Sequence, residues 1–239
     1  MWAIINFFQI LIIFLWTAVC GILTVVISAL TFFNYYQISG FIGRNIWSPV
    51  LLFVSGIRVK ISGKEHIDTS KTYIYVANHE SLYDIPALFN KLPVFVSFLA
   101  KKELKKVPFM GWAMMASGYI FIDRSNREKA KESLQKAGEE IKSGKNAIIF
   151  PEGTRTKTGK MGLFKRGAFL LSKETGIEII PISIKGAREC LASGSYKIRP
   201  GKIQINIGSP ISPNNYENIT VEEFANVVRE VCLKLREND

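Results

Sequence analysis

The stretch TYIYVANHESLYDIPALFN, residues 72–90, decides how this chain folds. Residues 72–77 are rich in aromatic and β-branched side chains and suit a strand. The polar residues after Ala77 suit a turn, and Pro86 suits the first turn of a helix. Strand, turn and helix in that order predict one unit of an α/β domain. Within it, His79 and Asp84 stand five residues apart. On a regular helix that interval turns two side chains roughly 140° from each other, because each residue advances about 100°. On a flat strand it puts them on opposite faces. A strand-to-helix connection removes the difficulty, since the turn folds the carboxylate back onto one imidazole nitrogen and leaves the other facing a cleft. An imidazole held in this way is a general base suited to neutral pH. Taken alone, the same residues also fit a loop histidine beside a helix-start aspartate.

Outward from this segment, the alternation continues from residue 57 to the end. Residues 57–61 (IRVKI) alternate as a half-buried strand does. Further strand-like runs follow at 94–100 (VFVSFLA), 119–122 (YIFI), 147–150 (AIIF), 177–184 (IEIIPISI) and 202–207 (KIQINI). Helical patterns separate them. Ala130, Leu134, Ala137 and Ile141 share one face after Asn126, with charged residues opposite. Thr220 and Glu223 have the spacing of a capping box ahead of a stripe of Phe224, Val227, Val228, Val231 and Leu235. The pattern predicts an α/β domain over residues 57–239, with a mixed, largely parallel sheet flanked by helices and no second such domain.

Residues 1–56 are of another kind. No Lys, Arg, Asp, Glu or His occurs before Arg44, and residues 2–33 are apolar almost throughout. A helix crosses the hydrocarbon core with about 20 residues, so this run predicts a membrane-inserted anchor. Gly21 near its middle favours a hairpin of two shorter helices over one tilted span. A cleaved signal peptide is not expected, because the run is too long and lacks a basic leader. The whole formal charge of +11 falls after residue 43, which places the α/β part on the cytoplasmic face of a cell membrane. Cys20, Cys190 and Cys232 are scattered, with neither disulfide nor metal-site spacing.

Two other strand-like runs end in arginine: GYIFIDR at 118–124 with Arg124, and FPEGTR at 150–155 with Arg155. Arginine's planar fork suits a phosphate, and ligands of α/β folds gather at strand ends. The excess of positive charge is also a nucleic-acid footprint, but no nucleic-acid module accompanies it. Lys101, Lys102, Lys105, Lys106, Lys157, Lys160, Lys165 and Arg166 suit acidic lipid headgroups or an acidic carrier protein instead. GTRTKTGKM at 153–161 misses the P-loop spacing, and G-x-S-x-G is absent, so neither nucleotide hydrolysis nor a nucleophile-elbow hydrolase is expected.

In their order, NHESLYD, GYIFIDR, FPEGTR and IIPI (179–182) resemble the four blocks of the glycerolipid acyltransferases, specifically the 1-acylglycerol-3-phosphate (lysophosphatidic acid) acyltransferases. The resemblance covers residues 56–211. It implies transfer of a fatty acyl chain from acyl-CoA or acyl carrier protein to the sn-2 hydroxyl of lysophosphatidic acid, giving phosphatidic acid in phospholipid synthesis. It assigns His79 as general base and Asp84 as the group that holds its tautomer. Arg124, Glu152, Gly153, Thr154 and Arg155 are assigned to the substrate phosphate, with Lys105 as a weaker contact. Pro181 is assigned to the acyl or acceptor site. A thioester is already activated, so neither a metal nor a resident cofactor is needed. Backbone N–H groups near His79 or at Gly153 are candidate oxyanion donors. The same blocks also fit an acyltransferase for another lysolipid or glycerol 3-phosphate. A membrane-anchored lipid-binding protein is the rival outside enzymes, although binding alone does not require an oriented base.

Overall fold

The structure, a computed structural model, describes residues 2–31, 36–107 and 110–237. In chain order, α1 (Trp2–Leu30), α2 (Tyr36–Ile42), a π-helical turn (Gly43–Trp47) and α3 (Ser48–Val54) precede the sheet. Then come β1 (Ile57–Ser62), β2 (Ile74–Ala77), α4 (Asp84–Lys91), β3 (Ser97–Lys101), α5 (Met110–Ala116), β4 (Ile120–Ile122), α6 (Arg127–Lys142) and β5 (Ala147–Ile149). The chain closes with α7 (Gly167–Thr175), β6 (Ile179–Lys185), α8 (Ala187–Cys190), β7 (Gly201–Ile207) and α9 (Val221–Glu237).

The seven strands lie in the order β1-β7-β6-β2-β5-β3-β4. β6, β2, β5, β3 and β4 run parallel, and β7, paired in parallel with β1, is antiparallel to β6. This is the mixed, largely parallel sheet expected, and each strand-like run forms a strand. The central strands are apolar on both sides because both faces are covered. Ile74 and Val76 of β2 pack with α6, α7 and α9 through Ile141, Phe169 and Phe224. Tyr75 and Ala77 face the opposite way, among Leu88 and Leu92 of the α4 region and Leu52 of α3.

The connections place the functional face. From β2 the chain crosses to β3 through α4, whereas from its neighbour β5 it crosses to β6 through α7. Right-handed crossovers in opposite directions put these helices on opposite faces of the sheet. Between the carboxyl ends of β2 and β5 a crevice therefore opens, and it is there that NHESLYD and FPEGTR emerge.

β6 carries Pro181 in a central position, where a missing N–H is ordinarily costly. The register explains its tolerance. Ile182 pairs with Ile207, but Ile179 bridges to Ile211, so the β7 side carries one extra residue. The absent donor falls at this bulge.

α9 opens with the capping box: Glu223 N–H donates to Thr220 Oγ1, and Thr220 N–H donates to Glu223 Oε2. Thr220→Ala is expected to cost about 1 kcal/mol, read as a lower denaturant midpoint with unchanged slope. The stripe behind the cap differs from the expected one. Phe224, Ala225, Val228 and Cys232 are buried, while Val227, Val231 and Leu235 are half-buried.

The N-terminal part corrects one expectation. α1 is unbroken through Gly21, so the reversal comes after Leu30 rather than mid-run. Gly21 is instead a point of close approach, where a Cβ would meet that of Ala113 at 3.3 Å. The second arm of the hairpin is α2 to α3, lying antiparallel to α1. Gln9 Nε2 donates to Val54 O at 3.0 Å, Trp16 Nε1 to Ile46 O at 3.3 Å, and Trp47 Nε1 to Thr17 Oγ1 at 3.1 Å. The turn itself, with Phe32 and Phe33 of the apolar run, lies outside the described residues. α1 has its polarity reversed relative to a water-facing helix. Its buried residues are Cys20, Thr24 and Ser28, whereas Trp2, Phe7, Phe14 and Leu30 are exposed. Among the described residues it is the one helix long and apolar enough to cross a membrane.

Candidate active site

The two histidine-turn residues singled out by their spacing do meet. β2 ends at Ala77 and α4 starts at Asp84, so residues 78–83 form the connection. His79 Nδ1 lies 2.7 Å from Asp84 Oδ2. The same oxygen accepts the N–H groups of Glu80 at 2.7 Å and Ser81 at 2.9 Å. A carboxylate holding two backbone N–H donors can only accept from the imidazole. The imidazole therefore donates from Nδ1, which in the neutral ring leaves the lone pair on Nε2. Asp84 is fully buried, and the His79 side chain is 16% exposed, so the ring is reachable at one edge only.

Each residue of the turn is tied to a different part of the fold. The Asn78 side chain spans the end of β6, donating to Ile184 O at 2.9 Å and accepting Ile184 N–H at 2.7 Å. His79 N–H donates to Glu152 Oε1 at 2.8 Å, and His79 O accepts Thr156 N–H at 2.9 Å. Ser81 Oγ donates to Leu191 O at 2.8 Å. The Tyr83 and Ser55 hydroxyls are hydrogen-bonded, which joins the turn to the end of α3. Phe150 stacks on the imidazole with ring centroids 4.0 Å apart and planes 11° apart. From Phe150 a line of aromatic contacts runs through Phe98 and Phe89 to Trp47 beside α1.

The FPEGTR turn follows β5, next to β2. Gly153 has a φ of 72°, and a Cβ there would come within 2.8 Å of Lys165 Nζ. A pocket of about 420 Å³ is lined by Lys101, Glu103, Arg124, Ser125, Gly153 and Lys165. Arg124 and Gly153 are thus brought together as expected. Thr154 and Arg155 continue the same turn, exposed and half-buried respectively, without lining this pocket.

Three expected contacts are placed elsewhere. Glu152 turns its carboxylate inward, onto His79 N–H and Gly162 N–H, so it braces the histidine turn rather than the pocket. Lys105 lies over the Phe121 ring, 4.7 Å from its centroid, in a neighbouring pocket with Lys102 and Asp123. Pro181 is buried in the sheet against Gly208, where its ring would crowd any Cβ. Beside Arg124, hydrogen bonding from Ser125 and then Lys102 holds the Asp123 carboxyl well below the usual carboxylate range. The N–H groups of His79, Glu80, Ser81 and Gly153 are all engaged within the protein, which removes them as ready oxyanion donors. Lys101 and Lys165 are pocket cations that the sequence placed only within the lysine group facing acidic headgroups or a carrier protein. Each sits in a lysine-rich run where spacing alone does not separate it from its neighbours.

Comparison with known proteins places the chain in a family. A family model described as Acyltransferase matches residues 58–185. The 1-acyl-sn-glycerol-3-phosphate acyltransferase of Saccharomyces cerevisiae is 37% identical over 216 residues, an alignment covering 88% of this chain and 71% of the yeast protein. A protein of the same name from Chlamydomonas reinhardtii is 32% identical over 187 residues, covering 77% of this chain and 56% of the algal one. The crystal structure of the 1-acyl-sn-glycerophosphate (LPA) acyltransferase PlsC from Thermotoga maritima superposes with a TM-score of 0.80 at 26% identity, over 99% of this chain and 95% of that one.

Proposed function

Because the chain belongs to the acyltransferase family, among the 1-acyl-sn-glycerol-3-phosphate acyltransferases, we propose that it acylates the sn-2 hydroxyl of lysophosphatidic acid from a thioester donor, acyl-CoA or acyl carrier protein. The observation that supports this reading is an aspartate-held imidazole after β2 together with a pocket lined by Lys101, Glu103, Arg124, Ser125, Gly153 and Lys165, to which the turn after the neighbouring β5 contributes Gly153. The phosphate occupies that pocket, with Arg124 as its bidentate partner and Arg155 on the adjoining turn. The sn-2 hydroxyl then lies at His79 Nε2. His79 takes its proton as the oxygen attacks the thioester carbonyl. The tetrahedral adduct collapses with cleavage of the carbon–sulfur bond, and the imidazolium returns the proton to the departing thiolate. Asp84 stabilises that imidazolium and keeps the ring in its reactive tautomer. No resident metal or cofactor enters these steps.

The aromatic line from Phe150 to Trp47 joins the site to the hairpin, which supports approach of the acyl chain from that side. The exposed apolar face of α1 supports placing that hairpin in a bilayer, with the positively charged α/β part on its cytoplasmic face. The test compares lysophosphatidic acid with monoacylglycerol, which lacks the phosphate, as acceptors. The parent is expected to favour lysophosphatidic acid. Arg124→Ala is expected to raise KM for it about 10-fold while leaving monoacylglycerol acylation unaltered. Equal use of both acceptors by the parent would sink the phosphate assignment.

A further inference from the structure

Glu80 stands between His79 and Ser81, and its side chain has no part in the chemistry above. It is nevertheless 1% exposed, deep beneath the histidine turn. Its Oε1 lies 2.5 Å from Nη2 of Arg236, in the last turn of α9. Arg236 also donates from Nη1 to Ile184 O at 2.7 Å, the carbonyl that accepts from Asn78 as well. Glu80 Oε2 is buried without a hydrogen-bond partner among the described residues. Burial pushes this carboxyl up to about 7, with Arg236 opposing and Asp84 and Glu189 adding to the rise.

A buried ion pair with an unsatisfied oxygen is a poor device for stability alone, since a well-packed neutral pair of similar shape is often no worse. Its geometry serves another purpose. The Glu80 N–H is one of the donors that hold Asp84 Oδ2, and Glu80 is covalently joined to His79. Fixing its side chain fixes the peptide that orients both. The other ties of the turn come from β5, β6, α3 and the Leu191 segment that follows α8. Among the described residues, the Arg236 contact is the hydrogen-bonded tie by which the C-terminal helix reaches it.

We propose that Arg236 and Glu80 form a latch through which the last turn of α9 positions the His79–Asp84 pair, Arg236 being a positioning residue for the acyl transfer. The proposal rests on the reaction above for its kinetic consequence, but its geometric consequence can be read without turnover. The chain has two histidines, His66 and His79, so the low-field Nδ1–H proton resonance of His79 can be assigned by difference with His66→Gln.

The experiment uses the full chain in detergent, as parent, Arg236→Met, and Arg236→Met combined with Glu80→Gln. Arg236→Met leaves the buried Glu80 carboxyl without its guanidinium partner. It is expected to lower kcat about 10- to 100-fold, the scale of an ångström-level misplacement, and to broaden the His79 resonance away. KM for lysophosphatidic acid should stay within about threefold, because the phosphate pocket is built from other residues. The double variant carries no buried ionisable group at this position. It is expected to regain the parental melting temperature, but to recover kcat only in part, since an amide without the guanidinium holds the turn less firmly. Arg236→Met with parental kcat per folded molecule and an unchanged resonance, whatever its melting temperature, would overturn the latch. A parent that keeps the resonance yet transfers no acyl group would overturn the proposed reaction instead, and the resonance in the variants would still decide the latch.

Discussion

His79→Ala is expected to lower kcat for phosphatidic acid formation by about 10²–10⁴-fold, the usual contribution of a positioned general base. Binding of lysophosphatidic acid should survive, because the pocket formed by Lys101, Arg124, Gly153 and Lys165 does not include the imidazole. The fold should survive too. The backbone bonds of His79 to Glu152 and Thr156 do not depend on its side chain. What disappears is the ring stacked on Phe150 and, with it, the proposed base. The measurement is kcat with saturating donor and acceptor, beside lipid binding to the same preparations. A variant within about tenfold of the parent would mean that the hydroxyl loses its proton elsewhere.

Asp84→Asn is expected to cost about 10²–10⁴-fold in kcat for a different reason. Its oxygen can still accept the Glu80 and Ser81 N–H groups, so the turn keeps its shape, but the negative charge facing the forming imidazolium is gone. The amide nitrogen would fall where Asp84 Oδ1 now lies buried without a partner. Asp84→Ala separates the two roles. It leaves the buried Glu80 and Ser81 donors unsatisfied, at about 1–3 kcal/mol each, so it should lose stability as well as turnover. Comparable melting temperatures for parent and Asn variant, with a clearly lower one for the Ala variant, check this division. Equal stability losses in both variants would contradict it.

Much of the fold was legible because the central strands are covered on both faces and therefore stand out as short β-rich runs between amphipathic helices. The His79–Asp84 contact was legible because its interval makes sense only across a turn. What was hidden depends on residues far apart in sequence. Glu152 looks like a member of a phosphate-binding turn, and only the arrival of the His79 and Gly162 N–H groups shows that it is a brace. Pro181 lies in a recognisable block, yet its place is set by a one-residue bulge opposite β6. Lys101 and Lys165 become pocket residues because the sheet sets the end of β3 beside that of β5, whereas Lys102, the next residue, turns to Asp123. Gly21 suggested a break in the apolar run. A glycine within a helix is equally a place for a neighbour to come close, and Ala113 supplies that neighbour only in three dimensions.

The most direct test of the central claim is a stoichiometry measurement on the purified parent, supplied in detergent with lysophosphatidic acid and acyl-CoA or acyl carrier protein. Free thiol and phosphatidic acid should appear together, one for one, and thiol release should nearly cease when the acceptor is omitted. Thiol release that continues without acceptor, or lipid binding with neither product, would contradict the account.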